Sequence, residues 1–173
     1  GLQKIVFGPS QILRSLSWFD TIDLKDPTGQ TDGMNAFRLR WFPSNFFSLW
    51  SWAIMNNEDA LTYGGRGEMS TSIGEWGMTF HLDPSSIIQK AALDYRYDGF
   101  IGFWNESVII NSDDLERGMF TLGTDYTLPI ANGILVMTES MLISSKNNTS
   151  TSSQTFTAFM ASLSIGMVHQ AMC

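Results

Sequence analysis

Two histidines, His81 and His169, and one cysteine, Cys173, are the only imidazole and thiol side chains in the sequence. The histidines lie in separate strands, so a two-histidine metal site is possible but unsupported by any ligand spacing. A single cysteine permits neither a disulfide nor a cysteine-based metal site within one chain. Glu75 and Asp94 are the carboxylates to weigh as a paired acid and base, which would need to be held within reach of one reacting group. Each instead sits in a run where charged and apolar residues alternate, the ordinary way to line a polar face. Gly64-Gly65-Arg66-Gly67 has the glycines of a phosphate-binding loop without the strand-to-helix setting that phosphate binding requires. No Gly-x-Ser-x-Gly element or dinucleotide fingerprint occurs. The glycines fit a bulge or close backbone packing. We therefore expect no catalytic residues, no cofactor and no metal, and we read His81 as one residue of a wall. Asn105, Asn147 and Asn148 open glycosylation sequons, which matter only in a eukaryotic secretory setting.

The elements that hold these side chains are strands. In Glu75 to Leu82, Trp76, Met78, Phe80 and Leu82 fall on one face and Glu75, Gly77, Thr79 and His81 on the other, because successive strand side chains point to opposite sides. The same alternation recurs in Met34–Phe42, Phe46–Met55, Ala60–Ser70, Lys90–Tyr97, Phe100–Asn111, Gly118–Leu128, Ile134–Ser145 and Phe156–Val168. With Leu2–Gly8 this makes about ten strands. Trp50, Trp52 and Ile54 align on one face of their strand, and Trp104, Glu106, Val108 and Ile110 share one phase of theirs. Ser10 to Phe19 is the one stretch suited to a short helix, inside a long connection from Pro9 to Gly33. Lys146 to Thr155 reads as a polar low-complexity loop.

Composition narrows the function classes. Aromatic residues make up 13 % of the 173 residues, with six Trp and twelve Phe, while charged residues at 16 % fall well short of the quarter usual in soluble domains. A net charge of −7 with no basic cluster argues against a nucleic-acid partner, since neutralising phosphates needs a basic face. The longest apolar run, Phe46 to Met55, is about half of what a membrane-spanning helix needs but suits a tilted spanning strand. No export leader opens the chain, and the expectation is that any such signal was removed or lies elsewhere.

Two architectures satisfy strict alternation with charge on one side. A soluble all-β binding module, a sandwich or lipocalin-like barrel for an apolar ligand or glycan, would put the charged face outside. A transmembrane barrel would put it on a wet lumen. Burying so many ionisable groups in a dry core would cost several kcal/mol for each imperfect pair. The connections separate into short turns (Pro43–Asn45, Thr71–Gly74, Asp98-Gly99, Pro129–Gly133) and longer polar segments, one class for each end of a meander. Tyr and Trp recur near strand ends, where interfacial girdles sit.

These features, with Ile5-Val6-Phe7-Gly8, the segment Asp20 to Asp26 and Asp32 to Arg40, resemble outer-membrane β-barrel proteins of porin-like type from Gram-negative bacteria. The resemblance implies an all-β, antiparallel up-and-down transmembrane barrel, or a segment of a larger one, occupying residues 1–173 with a long loop at 9–33. It implies a porin-like passive channel for small solutes or a structural membrane component, in contact with membrane lipid and with other subunits of an outer-membrane assembly. The lumen side would carry Arg38, Arg40, Arg66, Glu68, Glu75, His81, Lys90, Asp94, Arg96 and Asp125. The lipid side or girdle would carry Phe37, Trp41, Trp50, Trp52, Trp76, Phe80, Tyr95, Tyr97 and Tyr126. Pro9–Gly33 becomes a constriction or plug.

Overall fold

The computed structural model describes residues 2–3, 7–16, 18, 34–55, 60–130 and 133–163, with residues 2–3, 34–35 and 163 as backbone only. A two-residue strand β1 (Leu2–Gln3) precedes nine long ones: β2 (Met34–Ser44), β3 (Phe47–Met55), β4 (Leu61–Thr71), β5 (Gly74–Asp83), β6 (Ile88–Asp98), β7 (Gly102–Asn111), β8 (Leu115–Leu128), β9 (Ile134–Asn147) and β10 (Thr151–Leu163). Each pairs antiparallel with its neighbours in sequence, so the chain is an all-β up-and-down sheet in the order β1 to β10. Among the described residues no ladder joins β10 to β1 or β2, and the expected barrel closure is absent: the sheet is open.

The registers carry one set of side chains across the whole sheet. One row runs through Arg40, Trp50, Arg66, Thr79, Ala92, Val108 and Met119 on β2 to β8. The next runs through Ser48, Glu68, Gly77, Asp94, Glu106, Thr121 and Met141 on β3 to β9. This face, called inner below, is the buried one. Thr79 and Thr121 are 0 % exposed and Glu106 and Glu139 1 %, whereas Phe37 on the opposite face is 71 % exposed, Met78 50 % and Phe80 47 %. A soluble sheet buries its apolar face and leaves the polar one wet. Here the apolar face is the exposed one, and the buried face is mixed, with Trp52, Ile54, Trp104, Val108 and Met137 buried beside the polar and charged groups.

Local chemistry sets the turns. The Asp83 carboxylate accepts hydrogen bonds from the Ser85 and Ser86 amides and the Ser85 hydroxyl, and Asn147 Oδ1 accepts from the Thr149 and Ser150 amides, so each side chain closes its own turn. That capping shortens the expected polar loop at Lys146–Thr155 to residues 148–150, with the Ser and Thr run after it paired into β10. It also removes the expected two classes of connection. Residues 45–46, 72–73, 99–101 and 129–133 link strands at one end, and 56–60, 84–87, 112–114 and 148–150 at the other. Only the connection between β1 and β2 is long.

Candidate functional site

A short segment, residues 7–16, crosses the inner face. Phe7 packs edge-on to Trp50 at 6.0 Å and against Trp52 at 5.2 Å between ring centroids, both on β3. Gly8 then turns with φ +89°, and a Cβ there would collide with the Glu106 carboxylate and Leu16. Glycine is required for both conformation and space. Beyond it the Ser10 amide donates to Glu106 Oε1 at 2.8 Å, and the Ser15 amide and hydroxyl donate to Glu106 Oε2. Farther across the sheet, the Gln11 amide donates to Glu139 Oε1 at 2.7 Å, and the Ile12 and Leu13 amides donate to Oε2 at 2.9 and 2.6 Å. Trp104 Nε1 adds a fourth donor to Glu139 at 3.1 Å. Leu16, 1 % exposed, returns the segment onto Ala92 and Val108, and Trp18 lies near the Lys90 ammonium.

The helix expected from Ser10 onward is not formed at residues 10–16, for a visible reason. An isolated helical turn gains little in water, and these amides donate to two buried carboxylates instead of to carbonyls four residues back. Neither Glu106 nor Glu139 has a basic partner among the described residues. Each carboxyl is met instead by converging N–H and O–H donors, most of them backbone amides, as at anion-binding nests.

On the β2 to β6 side the balance is made by ion pairs. Arg66, 6 % exposed, donates to both oxygens of Asp94 at 2.6 and 2.9 Å, to Thr79 Oγ1 at 2.7 Å and to Glu68 Oε1 at 2.9 Å. Its guanidinium crosses β5 over Gly77, where a Cβ would overlap both Arg66 and Asp94. Glu68 Oε2 accepts from Ser48 Oγ and Trp50 Nε1, and Arg40 approaches it at 3.5 Å. Buried charge is tolerable only when paired and hydrogen-bonded in this way. His81 accepts at Nδ1 from Trp52 Nε1 at 3.2 Å, which marks that nitrogen as the unprotonated one. Arg96 is held by Asp98, with Asp125 at 4.0 Å. Beside the crossing segment lies a cavity of about 1030 Å³ lined by Arg38, Arg40, Arg66, Glu68, Glu75, Asp94 and Arg96 together with Gln11 and the turn at 43–46.

All ten residues expected on the polar side do lie on the inner face, where Arg40, Arg66, Glu68 and Asp94 form one connected lattice and Arg96 and Asp125 a separate pair. Phe37, Trp41, Trp76, Phe80 and Tyr97 are exposed on the outer face, where Tyr95 packs on Trp76 and Tyr126 on Phe100. Trp50 and Trp52 are corrected: they point inward, opposite Arg40 and Arg38. The apolar character of β3 is two-sided, with Phe47, Leu49, Ala53 and Met55 on the outside, so alternation alone could not separate its faces. The indole N–H groups gain buried acceptors only on the inner side. Of the expected plug Pro9–Gly33, residues 9–16 and 18 lie against the inner face, and the remainder, like His169 and Cys173, falls outside the described residues. The anchors Glu106 and Glu139 were not among the expected site residues. Glu106 shares its phase with Trp104, Val108 and Ile110, and a lone carboxylate in an apolar phase is the signal that marks it.

Among the described residues no three metal-ligating side chains converge, and no helix is long and apolar enough to cross a membrane, which says nothing of strands. Comparison with known protein families, characterised proteins and solved structures finds no match to the chain.

Proposed function

We propose that this chain is a stretch of the wall of a transmembrane β-barrel of a bacterial outer membrane. In this reading the wall serves a porin-like passive route for small solutes, or a structural role in the membrane, with residues 7–16 narrowing the lumen. The observation that carries it is the burial pattern of six successive strands, β4 to β9, in which the face that holds the charged groups is buried and the apolar face is exposed. An apolar face exposed on every strand from β2 to β9 fits lipid as its solvent, and a buried polar face fits a lumen. A soluble module for an apolar ligand or glycan would have to leave Phe37, Trp41, Met78, Phe80 and Leu93 in water. Such a large exposed apolar area marks an interface with a partner or a membrane.

The open edges fit a segment of a larger wall. Eight hairpins separate β2 from β10, so these two strands run in the same direction, and pairing them directly would be parallel. An all-antiparallel wall closes only if an odd number of strands stands between them. β1, antiparallel to β2, has the required direction. In lipid an unpaired strand edge is costly, because no water satisfies its N–H and C=O groups.

The test is behaviour with and without detergent, followed by conductance across a planar bilayer. The expected result is a sheet that needs detergent or lipid to stay dispersed and that gives discrete current steps. A monomer stable in plain buffer refutes the membrane reading, and an inserted sheet without conductance leaves only the structural role.

A further inference from the structure

We propose that the cavity beside the crossing segment binds small dicarboxylate solutes, held at their two ends by Arg38 and Arg40. The inference deepens the reading above by naming a solute class, and it rests on that reading for the cavity's access to solution.

Sorting the charges of the cavity isolates these two cations. Both Asp94 oxygens are taken by Arg66. Glu68 accepts from Arg66, Ser48 and Trp50 and reaches Arg40 only at 3.5 Å. Arg96 is committed to Asp98 on the same strand. Glu75 makes no ion pair within 4.0 Å among the described residues, but it stands directly across from Arg96 on β6, three strands from β2. Arg38 has no ion pair among the described residues, and the Arg40 side chain is 41 % exposed despite its contact with Glu68. Positive charge is therefore left unbalanced on the β2 wall.

Geometry supplies the rest. Arg38 and Arg40 are two residues apart on one face of β2, which spaces their Cα atoms by roughly 7 Å. Both guanidinium groups lie over the Trp50 ring, at 5.0 and 4.0 Å from its centroid, and the Trp50 N–H is fixed to Glu68 at 2.9 Å. Stacking on an anchored indole holds two planar forks in place before a ligand arrives, and each fork matches a carboxylate through two parallel hydrogen bonds. With both groups drawn to one ring, the two sites lie close enough together for one molecule with a carboxylate at each end of a short carbon chain. A monocarboxylate can use only one of them.

The experiment is calorimetric titration of the whole chain in detergent micelles at low salt with succinate, propionate and inorganic phosphate. The proposal expects saturable succinate binding and propionate at least about tenfold weaker. R38Q and R40Q should each weaken succinate by about tenfold or more, with E75Q no weaker than the parent protein. Far-UV circular dichroism checks that both arginine variants keep the sheet. Succinate bound equally by R38Q and R40Q, propionate or phosphate bound as tightly as succinate, or no saturable binding overturns it. Because binding is read without current, a chain that binds succinate but does not conduct removes the channel reading and leaves the site. A conducting chain that binds none removes the site alone.

Discussion

Replacing Glu139 by Gln tests whether the crossing segment is held by charge or merely by shape. Glu139 is 1 % exposed and accepts four donors, the amides of Gln11, Ile12 and Leu13 and the Trp104 indole N–H. Glutamine keeps the volume but has one acceptor oxygen. Whichever way its amide is turned, two of the four donors are left facing an NH₂ group, since Gln11 and Trp104 share one oxygen and Ile12 and Leu13 the other. Each buried donor left unsatisfied costs about 1–3 kcal/mol. Either the Ile12 and Leu13 amides or the Gln11 amide and the Trp104 indole of β7 are stranded, so E139Q should weaken the hold on residues 11–13 by about 1–6 kcal/mol. Hydrogen exchange in micelles reads this directly. Exchange of the Gln11, Ile12 and Leu13 amides should speed up by about 5-fold or more, at about 1.4 kcal/mol for each factor of ten. The ladder amides of β4 and β5, which do not touch Glu139, should be unchanged. Unaltered protection at residues 11–13 would refute the idea of a charge-held segment, and a uniform loss across the sheet would refute its independence from the wall.

Other expectations follow from the same geometry. Phe80→Arg on the outer face should weaken folding into lipid bilayers by about 2–4 kcal/mol, whereas Ser70→Arg, on the rim of the cavity, should cost less than about 0.5 kcal/mol; equal losses in a urea titration would contradict the assignment of faces. Asp94→Asn removes one of the two carboxylates that hold the buried Arg66 guanidinium, leaving Glu68, and should cost about 1–3 kcal/mol by the same titration, and a cost below about 0.5 kcal/mol would mean that water reaches Arg66 freely. At the rim end of β5, beyond Leu82, the Ser85 hydroxyl and the Ser85 and Ser86 amides hold the Asp83 carboxyl below the ordinary aspartate range. Its contribution to the 84–87 turn is thus present at neutral pH and is lost as pH falls through that lowered value. Carbon NMR of the Asp83 carboxyl should show the low midpoint, and a midpoint in the ordinary range would remove the turn's acid sensitivity.

The strands were legible because period-two alternation is enforced wherever one face is apolar and the other polar, and the inner positions of Arg66, Glu75, His81 and Asp94 follow from it. Legibility failed where local pattern and tertiary demand part. Trp50 and Trp52 sit in a strand apolar on both faces, and what turns them inward is a pair of acceptors, Glu68 on β4 and His81 on β5. The run Ser10 to Leu16 favours a helix by composition, yet two carboxylates about a hundred residues away in sequence take its amides. The polar run at 146–155 carries no apolar residue to declare a strand, and its Ser and Thr pair into β10 through the backbone. Closure of the sheet is beyond any local pattern, because it depends on which strands meet at the edges.

The inner face thus solves one electrostatic problem in two ways, and the difference bears on how the crossing segment can move. On β4 to β6 the carboxylates are answered by side chains of the wall itself, Arg66 spanning Gly77 to reach Asp94, so that half keeps its balance whatever the segment does. On β7 and β9, Glu106 and Glu139 are answered by the backbone of residues 10–15 and by the Ser15 hydroxyl and Trp104, and among the described residues neither has an ion pair. Departure of the segment would leave the two carboxyl groups with the Trp104 indole as their one remaining donor among the described residues, and only water could take over the six hydrogen bonds lost. A segment fixed by wall cations could leave without this cost, since those cations would still neutralise the wall. The segment therefore completes the hydrogen bonding of the sheet it crosses, and any state that uncovers the inner face there must be a wetted one.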